Sequence, residues 1–268
     1  MKTLIIIPAY NVELQLGSVL DGLPKNNLVV INDGSTDSTL SVIKQYDTNF
    51  INLKHNKGVG NALKLGVSYG IDNGYTHAIT IDADGQHDPS LWKEFEKKLS
   101  SARFVIGNRF SDIKNVPDQK LSSNFFASIL VYLIFRKRLY DVSCGYRGFK
   151  LDASYRNDRF SASYGYLYDD VFMNLDSVEA INIPCVYDYS EFLNTRTSEL
   201  LGFLEGIQSY SKQSGYEAMI SQLIRSVNSK ENLQVSVEGF DIFAFYISSS
   251  DSYIFQTDKE KVREYYEQ

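Results

Sequence analysis

Short apolar runs alternate with helical patterns through the first hundred residues, and each run gives way to polar side chains. TLIIIPAY (3–10) is continuously apolar, as expected for a strand buried on both faces. Asn11 is placed to cap a helix carrying Leu16, Val19, Leu20 and Leu23. LVVIND (28–33) is a second strand, and Ser35, Thr36 and Asp37 offer caps for a helix bearing Leu40 and Ile43. FINLKHN (50–56) is a weaker third strand, GVGNALKLGVSYGIDNG (58–74) a glycine-opened helix, and HAITIDA (77–83) a fourth strand. This order predicts an α/β fold, with a mostly parallel sheet flanked by helices. Ligands of such sheets bind outside the carboxyl ends of the strands. The polar exits Asn11, Asn32, Asp33, Asn56, Asp82 and Asp84 should therefore converge on one cleft.

RFVIGNRF (103–110) and INIPCVYDY (181–189) read as further strands. After about residue 195 the pattern changes to two amphipathic helices (200–207 and 216–227), three short strands (233–237, 240–247 and 252–257) and a charged terminal helix. We expect a main domain over 1–195 and an α+β appendage over 196–268 packed on it.

The two cysteines provide neither a disulfide framework nor metal-ligand spacing, so a reducing cytoplasmic setting is expected. MKTLIIIPAYN lacks the features of a signal peptide, and FFASILVYLIF (125–135) is too short to cross a bilayer. A net charge of −6 argues against nucleic acid as a partner. The charge is uneven, however. Arg103 to Arg159 holds 11 Lys/Arg and 5 Asp/Glu, a local balance of +6 in a chain whose remainder sums to −12. A basic middle suits a phosphate-bearing ligand, or is a solvated surface with chance clustering.

The chemistry concentrates in ITIDADGQHDP (79–89). In an extended chain, residues two apart point the same way, so Asp82 and Asp84 face one spot. Two adjacent carboxylates repel, and a hard divalent cation such as Mg²⁺ or Mn²⁺ relieves this while keeping positions open for phosphate oxygens. Gln86 adds a neutral oxygen. The competing reading is an exposed acidic turn; placement after a buried strand favours the metal. His87 is open between ligand, phosphate contact and turn residue. Asp33 can accept from a base or ribose. Gly58 and Gly60 open a helix whose N–H groups can face phosphate.

The segments IIIPAYN, VVINDGSTDST, HNKGVGNALKLG, ITIDADGQHDP, VIGNRF and DVSCGYRGF occur in that order. Together they resemble the family 2 glycosyltransferases, in particular the branch of dolichyl-phosphate mannosyltransferase and bacterial polyprenyl-phosphate glycosyltransferases. The resemblance spans roughly residues 3 to 190. It implies the GT-A (Rossmann-like) fold, a nucleotide-diphosphate-sugar donor (UDP- or GDP-), a divalent metal and inversion in one displacement. By position, Pro8, Ala9, Tyr10, Asn32 and Asp33 would hold the nucleoside. Asp82, Asp84 and Gln86 would hold the metal, and Arg109 and Arg147 would lie near the phosphates.

The chain departs from the family pattern in several places. Val12 precedes Glu13 after PAYN, Val59 stands where relatives carry Lys, and the C-terminal membrane helices common in the polyprenyl branch are missing. Gln222 and Arg225 mimic part of a processive-synthase signature, but Ser226 replaces its Trp.

The acceptor decides what Asp169 and Asp170 do. A phosphate monoester has a second pKa of about 6 and needs no base, whereas a sugar hydroxyl needs one. With a lipid phosphate the two aspartates orient or support; with a saccharide hydroxyl one is the base. A helix N-terminal acidic pair is the competing reading for both. NFFASILVYLIFRKR (124–138) is a candidate for peripheral contact with the cytoplasmic membrane face, or a helix packed on the sheet with a solvated basic end. The expected activity is transfer to a polyprenyl phosphate, with a saccharide acceptor second. A non-catalytic sugar-nucleotide binding protein is disfavoured by the intact Asp82, Asp84 and Gln86, and a nucleotidyltransferase by the lack of a glycine-arginine loop.

Overall fold

The computed structural model describes residues 1–152, 166–187, 194–210 and 215–267. A seven-stranded sheet forms its centre. Strands β1 (Thr3–Ala9), β2 (Leu28–Asn32), β3 (Asn49–Asn52), β4 (His77–Thr80), β5 (Phe104–Asn108), β6 (Arg147–Lys150) and β7 (Val178–Asn182) lie in the order β3-β2-β1-β4-β6-β5-β7. All run parallel except β6, which pairs antiparallel with β4 and β5. Helices α1 (Leu16–Asp21), α2 (Thr39–Ile43), α3 (Val59–Asp72) and α4 (Trp92–Leu99) make the crossovers. Chain order reverses direction between β1 and β4, and a crevice forms at such a switch point.

Pro8 shows how the crevice opens. Ile6 faces β4, because its carbonyl accepts from the Ile81 amide at 3.2 Å. Pro8 points to the same side two residues on, but β4 pairs with β1 only as far as Thr80 opposite Ile6. A residue without an N–H is tolerated there because no strand remains to receive one. The expected strand 77–83 is thus shorter, and Asp82 to Gln86 leave the sheet as a turn.

Other elements differ from expectation for local reasons. Asn11 does not cap α1. It takes a left-handed φ of 53°, and its Oδ1 accepts from the Thr36 amide at 2.8 Å. Asp37 does hold α2, accepting from the Thr39 amide at 3.0 Å. The run at 181–189 is a strand only to Asn182; Pro184 follows, and Cys185 bridges instead to His87. Residues 188–189 of that run, and 164–165 of the segment before Asp169, lie outside the described residues. Strand β6 escaped the sequence reading because four residues containing a glycine carry no periodicity.

Helix α5 (Asp118–Phe135) is the second organising element. Most of its residues are buried, from Leu121 to Ile134. A four-stranded antiparallel sheet covers it, ordered β8 (Thr195–Arg196), β11 (Ser252–Gln256), β10 (Phe240–Ile247) and β9 (Leu233–Val237). Phe126 stands 5.1 Å from Phe255, and Phe125 stands 4.7 Å from Phe240, centroid to centroid. Helix α6 (Tyr166–Met173) meets α5 through Phe172 and Phe135 at 5.4 Å. Helices α7 (Thr197–Tyr210), α8 (Glu217–Asn228) and α9 (Lys259–Glu267) complete the fold. Of the two readings of 124–138, packing within the protein is the one seen: its apolar circumference lies between protein layers. Arg136 and Lys137 pair with Glu238 and Asp176 at 4.0 and 3.2 Å. Among the described residues no helix is long and apolar enough to cross a membrane.

Phe126→Ala should therefore destabilise the lipid-free protein by about 3–5 kcal/mol in denaturant unfolding. A change near zero would mean that α5 is not a core helix.

Candidate active site

The turn leaving β4 carries the two carboxylates. Asp84 Oδ1 accepts from the Gln86 amide at 2.9 Å, which fixes the turn. The Gln86 carbonyl accepts from the Val186 amide at 3.0 Å, so the segment after β7 pins the turn from outside. Asp82 leans on Gly145, where an added Cβ would sit 2.1 Å from Asp82 Oδ2. The loop before β6 must carry glycine there for Asp82 to keep its place.

Electrostatics point to a cation. Burial, and then the charge of Asp84, push the Asp82 carboxyl up to about 7, although 35% of its side chain stays open. Burial also raises Asp84. Both ionise against resistance, with Arg109 offsetting part of it in each case. Two hard, partly open carboxylates that resist ionisation fit a divalent ion, whose charge removes the resistance. Among the described residues no third Asp, Glu, His or Cys completes a cluster of metal-binding groups with them. Further ligands would then be Gln86, water or ligand oxygens. His87 is not charged: burial, then Arg109, drive it down to about 3, and its Nε2 stays 4.0 Å from Asp82. It serves the turn, bridging Cys185.

The arginines differ. Arg109 leaves the end of β5 and grips Asp141 with two parallel bonds, Nε to Oδ2 at 2.7 Å and Nη2 to Oδ1 at 2.8 Å. Nη2 also donates to Ser143 Oγ at 3.0 Å. Arg147 is held by backbone carbonyls of the loop before β6. It is 1% exposed and donates to the carbonyls of Cys144 (2.6 Å) and Val142 (3.3 Å). Its charge acts on Asp82, and its guanidinium shapes the 142–145 turn that holds Gly145.

The residues expected around a nucleoside divide into a mouth and a scaffold. Pro8, Ala9 and Tyr10 line the exit of β1, and Tyr10 is 46% exposed. Asn32 is buried, its Nδ2 donating to Asn52 Oδ1 at 2.6 Å. Asp33 is buried and accepts from the amides of Lys57 (2.9 Å) and Gly58 (2.8 Å). Asn32 and Asp33 thus brace the strand ends at the crevice, and the Gly58 N–H donates to Asp33. Gly34, with φ 70°, permits this crossing, since a Cβ would lie 2.4 Å from the His55 backbone. Gly60 is buried in the first turn of α3.

Asp169 and Asp170 lie on α6. Asp169 is half-buried. Asp170 is 4% exposed and lines a cavity of about 10 Å³ with Arg147, Lys64 and Thr80, room for about one water. A wider cleft of about 240 Å³ lies beside the aspartate turn, lined by Ser18, Gln86, His87, Pro89, Pro184 and Val186 among others.

Asp141 and Gly145 escaped the sequence reading. A signal existed for Asp141: it is the one acid between Asp118 and Asp152, inside the basic stretch.

The raised carboxyl at Asp82 carries a sign. The native state holds its proton up to about pH 7 and the unfolded chain only to about 4, so metal-free stability falls as pH rises between them. In chelator, Asp82→Asn should raise Tm at pH 8 and leave it nearly unchanged at pH 4, read by thermal melts.

Comparison with known proteins agrees with this geometry. The family model "Glycosyl transferase family 2" matches residues 4–155. The UDP-N-acetylglucosamine–dolichyl-phosphate N-acetylglucosaminyltransferase of Methanococcus voltae is 30% identical over 174 residues, 56% of this chain and 69% of that protein. The undecaprenyl-phosphate mannosyltransferase of Micrococcus luteus is 27% identical over 187 residues, covering 64% and 77%. Among solved structures, glucosyl-3-phosphoglycerate synthase of Mycobacterium tuberculosis, crystallised with Mn²⁺, UDP and glucosyl-3-phosphoglycerate, superposes with a TM-score of 0.55 at 16% identity, covering 96% of this chain and 87% of that one. The fold is that of the GT-A glycosyltransferases among its structural neighbours, and the chain belongs to glycosyl transferase family 2.

Proposed function

We propose that this enzyme moves a sugar from a UDP- or GDP-sugar to a polyprenyl phosphate, with Mg²⁺ or Mn²⁺ held by Asp82, Asp84 and Gln86. The observation that carries the reading is the pair of ionisation-resistant carboxylates at the β1/β4 crevice. A bound cation would supply charge stabilisation for the departing diphosphate. Arg109, with Nε and Nη2 bonded to Asp141, would turn Nη1 toward the same phosphates. The nucleoside would lie across Pro8, Ala9 and Tyr10, with the exposed Tyr10 ring as a stacking face. Asp33 would act indirectly, by holding the Lys57–Gly58 turn beside it.

The burial of Asp170 supports a phosphate acceptor. A phosphate dianion attacks without surrendering a proton, so no base has to reach it. An aspartate that shares a one-water cavity with Arg147 is poorly placed to meet a sugar hydroxyl. The relatives named for dolichyl phosphate and undecaprenyl phosphate point the same way. A lipid-phosphate acceptor would be met at the cytoplasmic face of a membrane, with residues 196–268 as an appendage to the catalytic domain.

The test is a screen of UDP- and GDP-sugars with Mn²⁺ or Mg²⁺, offering polyprenyl phosphates and saccharides and reading products by mass. Asp84→Asn should lower turnover by at least ~10²-fold; retained turnover would refute the metal assignment. Asp170→Asn should cost less than about tenfold with a lipid phosphate. A loss of ~10²–10⁴ together with glycosylated saccharide would move the assignment to a hydroxyl acceptor.

A further inference from the structure

The last helix reaches the loops that carry Arg109 and Asp141. Tyr266 of α9 stacks its ring on Phe110, the residue after Arg109, with centroids 5.4 Å apart and planes at 23°. Its hydroxyl accepts from Asn124 Nδ2 at 2.7 Å. Asn124 in turn brackets Asp141: Nδ2 donates to the Tyr140 carbonyl at 2.5 Å, and Oδ1 accepts from the Val142 amide at 3.4 Å. Tyr266 also faces the Tyr140 ring at 5.9 Å. One side chain thus touches the backbone neighbours of both halves of the ion pair. The helix that bears it is anchored by Lys259 and Arg263, which both pair with Asp118 at the start of α5, and by buried Val262 and Tyr265.

We propose that Tyr266 is a positioning residue: through Phe110 and Asn124 it sets where the Arg109–Asp141 pair stands, and so tunes the grip on the donor's diphosphate. The inference rests on the reading above that Arg109 meets that diphosphate. Core packing alone would use the ring. Here the hydroxyl is also engaged, on an amide whose other two bonds hold the loop on either side of Asp141. A bidentate pair takes its direction from the two backbones that carry it, and a shift of about 1 Å in a charge-stabilising group can cost ~10²-fold.

The experiment is calorimetric titration of UDP, GDP, UMP and GMP, each with Mn²⁺, into the full chain, comparing wild type, Tyr266→Phe, Arg109→Lys and the double variant. Tyr266→Phe keeps the ring and loses the hydroxyl. It should weaken the bound diphosphate by roughly 3- to 30-fold and leave the monophosphate within about twofold. Its Tm should stay within about 4 °C of wild type. In the Arg109→Lys background the Tyr266→Phe effect should largely vanish, because the two act through one group. Unchanged diphosphate affinity, equal loss for mono- and diphosphate, or additive losses in the double variant would each overturn the proposal. Wild-type protein that binds neither UDP nor GDP would overturn the functional reading together with this one.

Discussion

The Arg109–Asp141 pair joins two segments that the sheet alone does not hold together. Arg109 is the first residue past β5, and Asp141 sits in the loop between α5 and β6. Asp141 is sealed from solvent, and its carboxylate accepts from Nε and Nη2 of Arg109 and from the Arg109 amide at 3.1 Å. A buried pair of this kind adds little net stability, but removing one partner strands a charge at a cost of about 3–5 kcal/mol. Its consequence is geometric. The loop it fixes continues into Ser143, Cys144 and Gly145, and Gly145 is the surface on which Asp82 rests.

From this tie the charge balance of the cleft follows. Arg109 and Arg147 lie close enough to Asp82 to favour its ionised form, yet burial and Asp84 outweigh them. The cleft therefore keeps an unmet demand for positive charge even with the charges of Arg109 and Arg147 acting on Asp82. His87 cannot supply that charge, because its own burial holds it neutral.

Much of this was legible from residue patterns. Ile5 to Ala9 and Leu28 to Asn32 are apolar without alternation, which is how strands read when both faces are covered. Asp82 and Asp84 follow such a run, so their place at the crevice was readable too. What was not readable was how each polar group would be used. Asn32, Asp33 and Gly58 have the composition of a ligand site, but their partners are Asn52, Lys57 and one another. Arg147 donates to two carbonyls of the loop before its own strand, partners that no local pattern announces. The apolar run of α5 was readable as a packed helix but not its partners, Phe240, Phe255 and Phe203, which lie more than seventy positions away.

The sequence by itself determined the parallel sheet, the crevice and the carboxylate pair, because burial on both faces and polar strand ends are written in neighbouring residues. Only the tertiary structure decided what each arginine donates to, that Asp141 orients Arg109, and that a tyrosine near the chain end reaches the same loops. Those are contacts between positions 32 to 156 residues apart. A local pattern carries no information about which distant partner a side chain will meet, so only folding brings them into register.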